Sequence, residues 1–239
     1  MNILNRAVSP VQPFRRSAIP DPCALSRTGW LAEQPKDFQQ RIAGLGRWRT
    51  YRAGEALYEV GDEANGVFGL EEGLVDISVA ISDDEMVTLH RAGPGLWGGD
   101  SALFAGGPRV ASLTAHTDSL VFVIPARTLR RHIAERPEDL LHFCKLNHRN
   151  FTLALRALAE VLALPPRARF ARLLLRLAAG DDLIRATQTE LGKLAGMSRA
   201  AFRRAFSELL DAGIVRTEYG KVRITDRAAL EAAAQEAWH

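Results

Sequence analysis

The sequence predicts an α+β chain: an N-terminal antiparallel β-roll of jelly-roll type, a long dimerisation helix, and a C-terminal winged helix-turn-helix. Three observations predict it. Residues 48–125 hold short β-rich runs punctuated by Gly54, Gly61, Gly66, Gly73, Gly93, Gly95, Gly98 and Gly99. Leu140, Cys144, Asn147, Phe151, Ala154, Leu158 and Val161 recur at alternating spacings of four and three. The stretch TQTELGKLAGMSRAAFRRAFSELLDAG, Thr187 to Gly213, reads as two short helices around a tight turn. The expected divisions are a flexible tail 1–24, a roll domain 25–135, the dimerisation helix 136–164 and the helix-turn-helix domain 165–239.

A chain of 239 residues is long enough for two separately packed cores. Its charge is unevenly placed. Residues 165–239 carry 13 Lys and Arg against 9 Asp and Glu, whereas residues 1–164 carry 18 against 19. A basic C-terminal part beside a near-neutral remainder points to one domain that meets a polyanion. The two cysteines, Cys23 and Cys144, form no paired spacing. That argues against a disulfide scaffold or a zinc site and fits a reducing compartment. No run approaches 18 consecutive apolar residues and no signal-peptide core is present, so a cytoplasmic protein without membrane contact is expected.

In chain order, residues 1–22 contain four prolines and no periodicity, which predicts a mobile tail. Leu31, Phe38, Ile42 and Leu45 give a short helical pattern over Leu25–Leu45 that should pack on the following domain. Val75, Ile77, Val79 and Ile81 alternate with Asp76, Ser78 and Ala80, the pattern of a half-buried strand. Ser82-Asp83-Asp84-Glu85 then turns into Met86–Arg91, and Leu120–Ile124 is a further strand. From Pro137 to about Ala163 a long helix carries the four-three repeat, which is the seam of a coiled-coil contact between two chains; a helix packed on its own domain is the alternative. Asn147 in that seam can fix register by bonding to its twin. The wider apolar set, with Leu141, Leu155 and Leu162, suggests contact with both the roll and a partner. Pro165-Pro166 ends the helix and makes a hinge. Arg167–Ala179 is amphipathic, with Phe170, Leu173, Leu174 and Leu177 inward, and Gly180-Asp181-Asp182 is a turn.

In the Thr187–Gly213 stretch, Thr187 and Glu190 suit a capping box, Gly196 a left-handed turn, Ser198 a second cap and Gly213 a stop. Ala201, Phe202, Ala205, Phe206, Leu209 and Leu210 form the inward stripe of the second helix. Arg199, Arg203 and Arg204 are left on the other face, where guanidiniums can meet guanine edges and phosphates. This is helix-turn-helix geometry for double-stranded DNA, although an ordinary helical hairpin with solvated arginines shares the pattern. Two strands around Tyr219-Gly220 form a wing whose Arg216, Lys221 and Arg223 suit a phosphate backbone, and Asp226 caps a terminal helix reaching Ala237.

Three stretches, taken in this order, resemble the CRP/FNR family of bacterial transcription regulators over about residues 28–225: Gly54-Glu55-Ala56-Leu57-Tyr58 with Gly61-Asp62 and Gly66; GLWGGDSALFAGGPRVA from Gly95 to Ala111; and Gly196-Met197-Ser198-Arg199. The resemblance implies an effector pocket in the roll with a phosphate-binding cassette. Gly99 and Asp100 fall at its Gly-Glu pair, with Asp in place of Glu, Gly98 precedes them in the pocket, and Arg109 matches its arginine. Val110 replaces the partner serine. On the dimer helix, Ala154 and Leu155 fall where cyclic-AMP-binding members carry base-reading Thr and Ser. Three hydroxyls are therefore missing, each worth about 0.5–1.5 kcal/mol, which argues against tight cyclic AMP sensing. The implied effector is a cyclic nucleotide or another small anion, or the protein acts constitutively; Asp100 and Arg109 as a purely structural ion pair is the alternative.

By the same resemblance, Ser198 and Arg199 start the recognition helix, Arg204 matches a base-reading arginine, and Ala200 replaces a cytosine-reading Glu. Thr187, Gln188 and Thr189 match phosphate-holding positions. A Cys₄ iron–sulfur cluster is excluded by cysteine count, and none of His90, His116, His132, His142 and His148 has a haem-ligand spacing. The expected function is a homodimeric DNA-binding regulator that meets a palindromic operator and RNA polymerase. A non-DNA cyclic-nucleotide-binding subunit is the runner-up, but has no use for the basic C-terminal part. A cupin-type metalloenzyme lacks its His-x-His ligands, so no catalysis is expected.

Overall fold

The computed structural model describes residues 24–82, 85–178 and 182–236. The tail of residues 1–22, Cys23, the turn residues Asp83 and Asp84, Gly180-Asp181 and Ala237 lie outside them. The first elements among the described residues are three short helices, α1 (Ala24–Arg27), α2 (Gly29–Ala32) and α3 (Lys36–Ala43), where the spacing predicts one helical segment. Eight strands follow: β1 (Arg47–Tyr51), β2 (Ala56–Tyr58), β3 (Gly66–Glu72), β4 (Val75–Ser82), β5 (Glu85–Ala92), β6 (Trp97–Gly98), β7 (Ser112–Ala115) and β8 (Ser119–Pro125). Between β6 and β7 lies α4 (Asp100–Ala105). The strands form two four-stranded antiparallel sheets, ordered β1-β8-β3-β6 and β2-β7-β4-β5. The pairing is nested: β4 with β5, β3 with β6, β2 with β7, β1 with β8.

Alternation along β8 explains how one sheet serves two cores. Val121 and Val123 face the opposite sheet with Phe68, Leu70, Val75 and Leu113. Phe122 and Ile124 face outward and are covered by Trp30, Leu31, Phe38 and Ile42 of the N-terminal helices. The turn between α1 and α2 fits closely on the roll: Gly29 has φ +79°, and a Cβ there would strike the Gly95 carbonyl. β4 departs from its expected pattern. It pairs with β7 only from Val75 to Ser78, and beyond that point has β5 alone. Ile81, expected on the buried face, is therefore 60% exposed.

A helix that the sequence pattern does not announce, α5 (Ala126–Glu135), leads through a 3₁₀ turn (Pro137–Asp139) into α6 (Leu140–Ala163). Asp139 is buried there. It accepts from Arg41 at 2.6 and 2.9 Å and bonds His132 at 2.8 Å, which ties α3, α5 and the turn together. Only Phe143 and Leu146 of α6 are buried, in the outer core of the roll. This corrects the expectation for Leu141, Leu155 and Leu162: all three are exposed, and the roll is met from a different face.

The C-terminal unit comprises α7 (Pro166–Leu177), β9 (Leu183–Ile184), α8 (Gln188–Leu194), α9 (Arg199–Asp211), β10 (Val215–Glu218), β11 (Lys221–Ile224) and α10 (Arg227–Ala233). Its own core gathers Phe170, Leu174, Leu191, Phe206, Leu209, Val222 and Leu230. The two-residue β9 adds a third strand to the wing hairpin, in the order β10-β11-β9. The N-terminal end of α8 lies against the roll, where His116 Nε2 stands 3.7 Å from Glu190 Oε1.

Candidate nucleic-acid interface and effector cassette

The helix-turn-helix is assembled by local chemistry. Thr187 Oγ1 accepts from the Glu190 amide at 3.2 Å, and Glu190 Oε2 accepts from the Thr187 amide at 2.7 Å, completing the capping box. The Thr187 hydroxyl also donates to Glu190 at 2.8 Å, so it is already engaged within the cap. Gln188 and Thr189 stand exposed beside it. Gly196 makes the turn at φ +57°, and Ser198 Oγ accepts from the Ala201 amide at 3.2 Å to start α9. Phe202 stacks on Phe206 at 5.7 Å and meets Phe170 edge-on, which sets the roll of α9 about its axis. Arg199, Arg203 and Arg204 are thereby turned to solvent. Arg199 and Arg203 lie one turn apart in one row, Ala200 and Arg204 in the next. Among the described residues none of the three arginines makes an ion pair.

The wing differs from expectation in its charge. Glu218 accepts from Arg223 at 2.7 Å and from Arg216 at 3.3 Å, and Arg223 heads the causes that hold its carboxyl below the usual range. Two of the three basic wing residues thus carry their own counter-ion, and Lys221 stays exposed with none among the described residues. Tyr219 at the tip is fully exposed.

The cassette residues converge, but not as an ion pair. Arg109 is 3% exposed. It donates to the Gly99 carbonyl at 2.6 Å, the Gly66 carbonyl at 2.7 Å and Asn65 Oδ1 at 2.9 Å. Its guanidinium lies 4.1 Å from the Tyr58 ring centroid. Asp100 begins α4 and is also 3% exposed, with one carboxylate oxygen unpartnered. Burial pushes its carboxyl above the usual range, while the local amides, Asn147 and Arg109 pull the other way. No Asp100–Arg109 salt bridge exists among the described residues, so the purely structural pair is not what is built. Gly99 is left-handed at φ +93°, and a Cβ there would come within 2.9 Å of the Gly66 carbonyl and 3.0 Å of Arg109.

Other site residues are scattered. Val110 is 75% exposed. Ala154 and Leu155 are exposed on α6, two turns beyond Asn147. The α6 residues that reach the cassette region are Asn147, at Asp100, and Asn150, whose amide donates to the Trp97 carbonyl at 3.2 Å. Tyr58 and Asn65 are cassette members that residue type alone does not mark; Tyr58 stands in the strand-turn signature, but only the fold brings its ring onto Arg109. Cys144 is exposed on α6. His132 and His142 are engaged, with Asp139 and with Gln34. No group of His, Cys, Asp or Glu among the described residues is placed to hold a metal ion.

Residues 48–136 match the family model of the cyclic nucleotide-binding domain, and residues 168–233 match that of the Crp-like helix-turn-helix domain. Together the two take in well over half of the chain. The chain belongs to the CRP/FNR family. Among similar CRP/FNR-type proteins is a CRP-like cAMP-activated global transcriptional regulator of Mycobacterium tuberculosis, 26% identical over 72% of this chain and 81% of that one. Transcriptional regulator LdrP of Thermus thermophilus is 28% identical over 74% and 91%. The solved CRP-family regulator TTHB099 of Thermus thermophilus is 26% identical, covers 80% of this chain and 98% of that one, and superposes with a TM-score of 0.65. FixK2 of Bradyrhizobium japonicum shares the fold at 18% identity and a TM-score of 0.68. The chain is therefore a CRP-like DNA-binding transcription regulator. No helix among the described residues is long and apolar enough to cross a membrane.

Proposed function

We propose that the chain acts in the cytoplasm as a homodimer, not as an enzyme, and places two copies of α9 in successive major grooves of a palindromic operator, about 34 Å apart. The observation that carries this reading is the pair of α9 rows holding Arg199, Arg203 and Arg204, exposed and without counter-ions. Arg204 reads a base edge and Arg199 sits on phosphate. Ser198 starts the helix, while Gln188, Thr189 and Lys221 position the unit on the backbone. Dimerisation is supported by the exposed apolar residues of α6: Phe151 at 58%, Leu158 at 53% and Val161 at 56%. They continue the seam through Cys144, Asn147 and Ala154. RNA polymerase is the expected protein partner at the promoter.

The roll of this regulator does not depend on cyclic AMP. Arg109 uses three of its five N–H donors on Gly99, Gly66 and Asn65 and keeps a buried, unpartnered Nε, but Val110, Ala154 and Leu155 bring no hydroxyl to hold the rest of a cyclic nucleotide. Fluorescence anisotropy on a palindrome found by binding-site selection tests both halves of the proposal. Binding without ligand, unchanged by cyclic AMP, cyclic GMP or cyclic di-GMP, is expected; strict dependence on cyclic AMP overturns the effector part. Arg204→Ala is expected to cost about 1–3 kcal/mol and relax preference at one base pair, whereas Lys221→Ala weakens all sequences alike. An unchanged selected sequence for Arg204→Ala removes that residue from base reading.

A further inference from the structure

A second concavity lies where the roll, α6 and the DNA-binding unit meet, and it borders the cassette region at Trp97 and Asn150. It is an open cleft of about 690 Å³, within the size range of small-ligand sites. Beside neutral polar groups such as Asn150 and Thr152, basic residues line it from three directions: His90 and Arg91 from β5, Arg149 and Arg156 from α6, and Arg176 from α7. No Asp or Glu lines it. Pro94, Leu96 and Leu153 supply apolar wall.

Three of these guanidiniums already hold a carboxylate outside the cleft: Arg91 on Asp76, Arg149 on Glu33 and Arg176 on Glu160. A guanidinium has five N–H donors, so Arg149 and Arg176, each using one on its partner, keep donors to spare. Arg156 makes no ion pair among the described residues. Burial, and then the Arg176 charge, hold the His90 imidazole below its ordinary range, with Asp76 pulling the other way. The face is also free of the seam. Arg149, Leu153 and Arg156 are displaced by two residues from Asn147, Phe151 and Ala154, which is about 200° round an α-helix. A partner chain on the seam therefore leaves this cleft open.

We infer that the cleft bounded by His90, Arg149, Arg156 and Arg176 is a binding site for a small polyphosphate, which bridges the roll to the DNA-binding unit. A multiply charged anion suits it because the donors come from separate elements, and because guanidiniums match phosphate oxygens in fork geometry. By touching α7 as well as α6, the ligand has a different affinity for arrangements that part Arg176 from Arg156. That is the thermodynamic condition for an effector.

Calorimetry on the full chain with metal-free ATP and with inorganic pyrophosphate tests this. Saturable binding of at least one probe is expected, with tighter binding of ATP marking a nucleotide source and equal binding a bare oligophosphate. Arg156→Ala should weaken binding by about tenfold or more, the loss of one charge-assisted hydrogen bond. Because Arg156 is exposed, its melting temperature without probe should not change. Failure of both probes to bind overturns the site. So does binding that survives Arg156→Ala and disappears in Arg204→Ala, which would place the anion on the DNA-reading face. Operator binding by the probe-free chain, measured in parallel, registers the DNA-reading proposal separately.

Discussion

Asp100 and Asp139 are both buried carboxylates, 3% and 1% exposed, and their surroundings shift them in opposite directions. Asp139 has Arg41 and His132 as partners, and the Arg41 bonds chiefly hold its carboxyl below the usual range. Its stabilising contribution is complete above the unfolded-state value of about 3.9 and is lost as pH falls through the lower folded value. Asp100 is raised by burial, so its penalty is absent in acid and grows as pH rises from the unfolded value through the folded one. Denaturant melts at neutral and acid pH are expected to separate the two. Asp139→Asn should cost about 3 kcal/mol at neutral pH by taking the buried carboxylate from Arg41, which keeps only the exposed Asp37, and by disrupting the bond to His132. Asp100→Asn should stabilise by on the order of 1 kcal/mol at neutral pH and by nothing in acid. Stabilisation by Asp139→Asn, or destabilisation by Asp100→Asn, contradicts the assignments. At this scale the sequence showed Gly99, Asp100 and Arg109 through a motif. It could not show that Tyr58 underlies Arg109 or that Asn65 accepts from it, because those contacts join residues more than forty positions apart in the chain.

Among elements, legibility follows length and period. α6 and α9 are long enough for an apolar repeat, and the Thr187–Glu190 box marks the start of α8 within four residues. The two-residue β9 is too short to have a period, and α5 buries only Ala126, Leu129 and His132. The α6 repeat also mixes faces. Phe143 and Leu146 meet the roll, while Phe151, Leu158 and Val161 are uncovered, and one apolar pattern cannot say which residues go where. Leu158→Glu tests this division. Leu158 is uncovered in the single chain, so the charge should leave monomer folding intact, shift sedimentation from dimer to monomer and abolish binding to a full palindrome. An unchanged dimer would move the interface off this face.

For the whole molecule, the two domains hold separate cores and meet through α6, α7 and the contact of Glu190 with His116. Chemistry that touches those contacts reaches both domains. The nested strand order has a further consequence, in time. β4 and β5 are neighbours in the chain, whereas Arg47 of β1 pairs with Val123 of β8. Closing the inner hairpin first shortens the loops that each outer pair must close. Val75→Ala, in the inner hairpin, should therefore mainly slow refolding, and Val121→Ala, in β8, should mainly speed unfolding; stopped-flow kinetics with the reverse partition would rule out this order. During synthesis the roll must wait until Pro125 has emerged before its outermost strands can join. Until then Phe68, Leu70 and Trp97 await the apolar run of β8, whereas every strand pair of the DNA-binding unit lies between Leu183 and Ile224 and closes without such a delay.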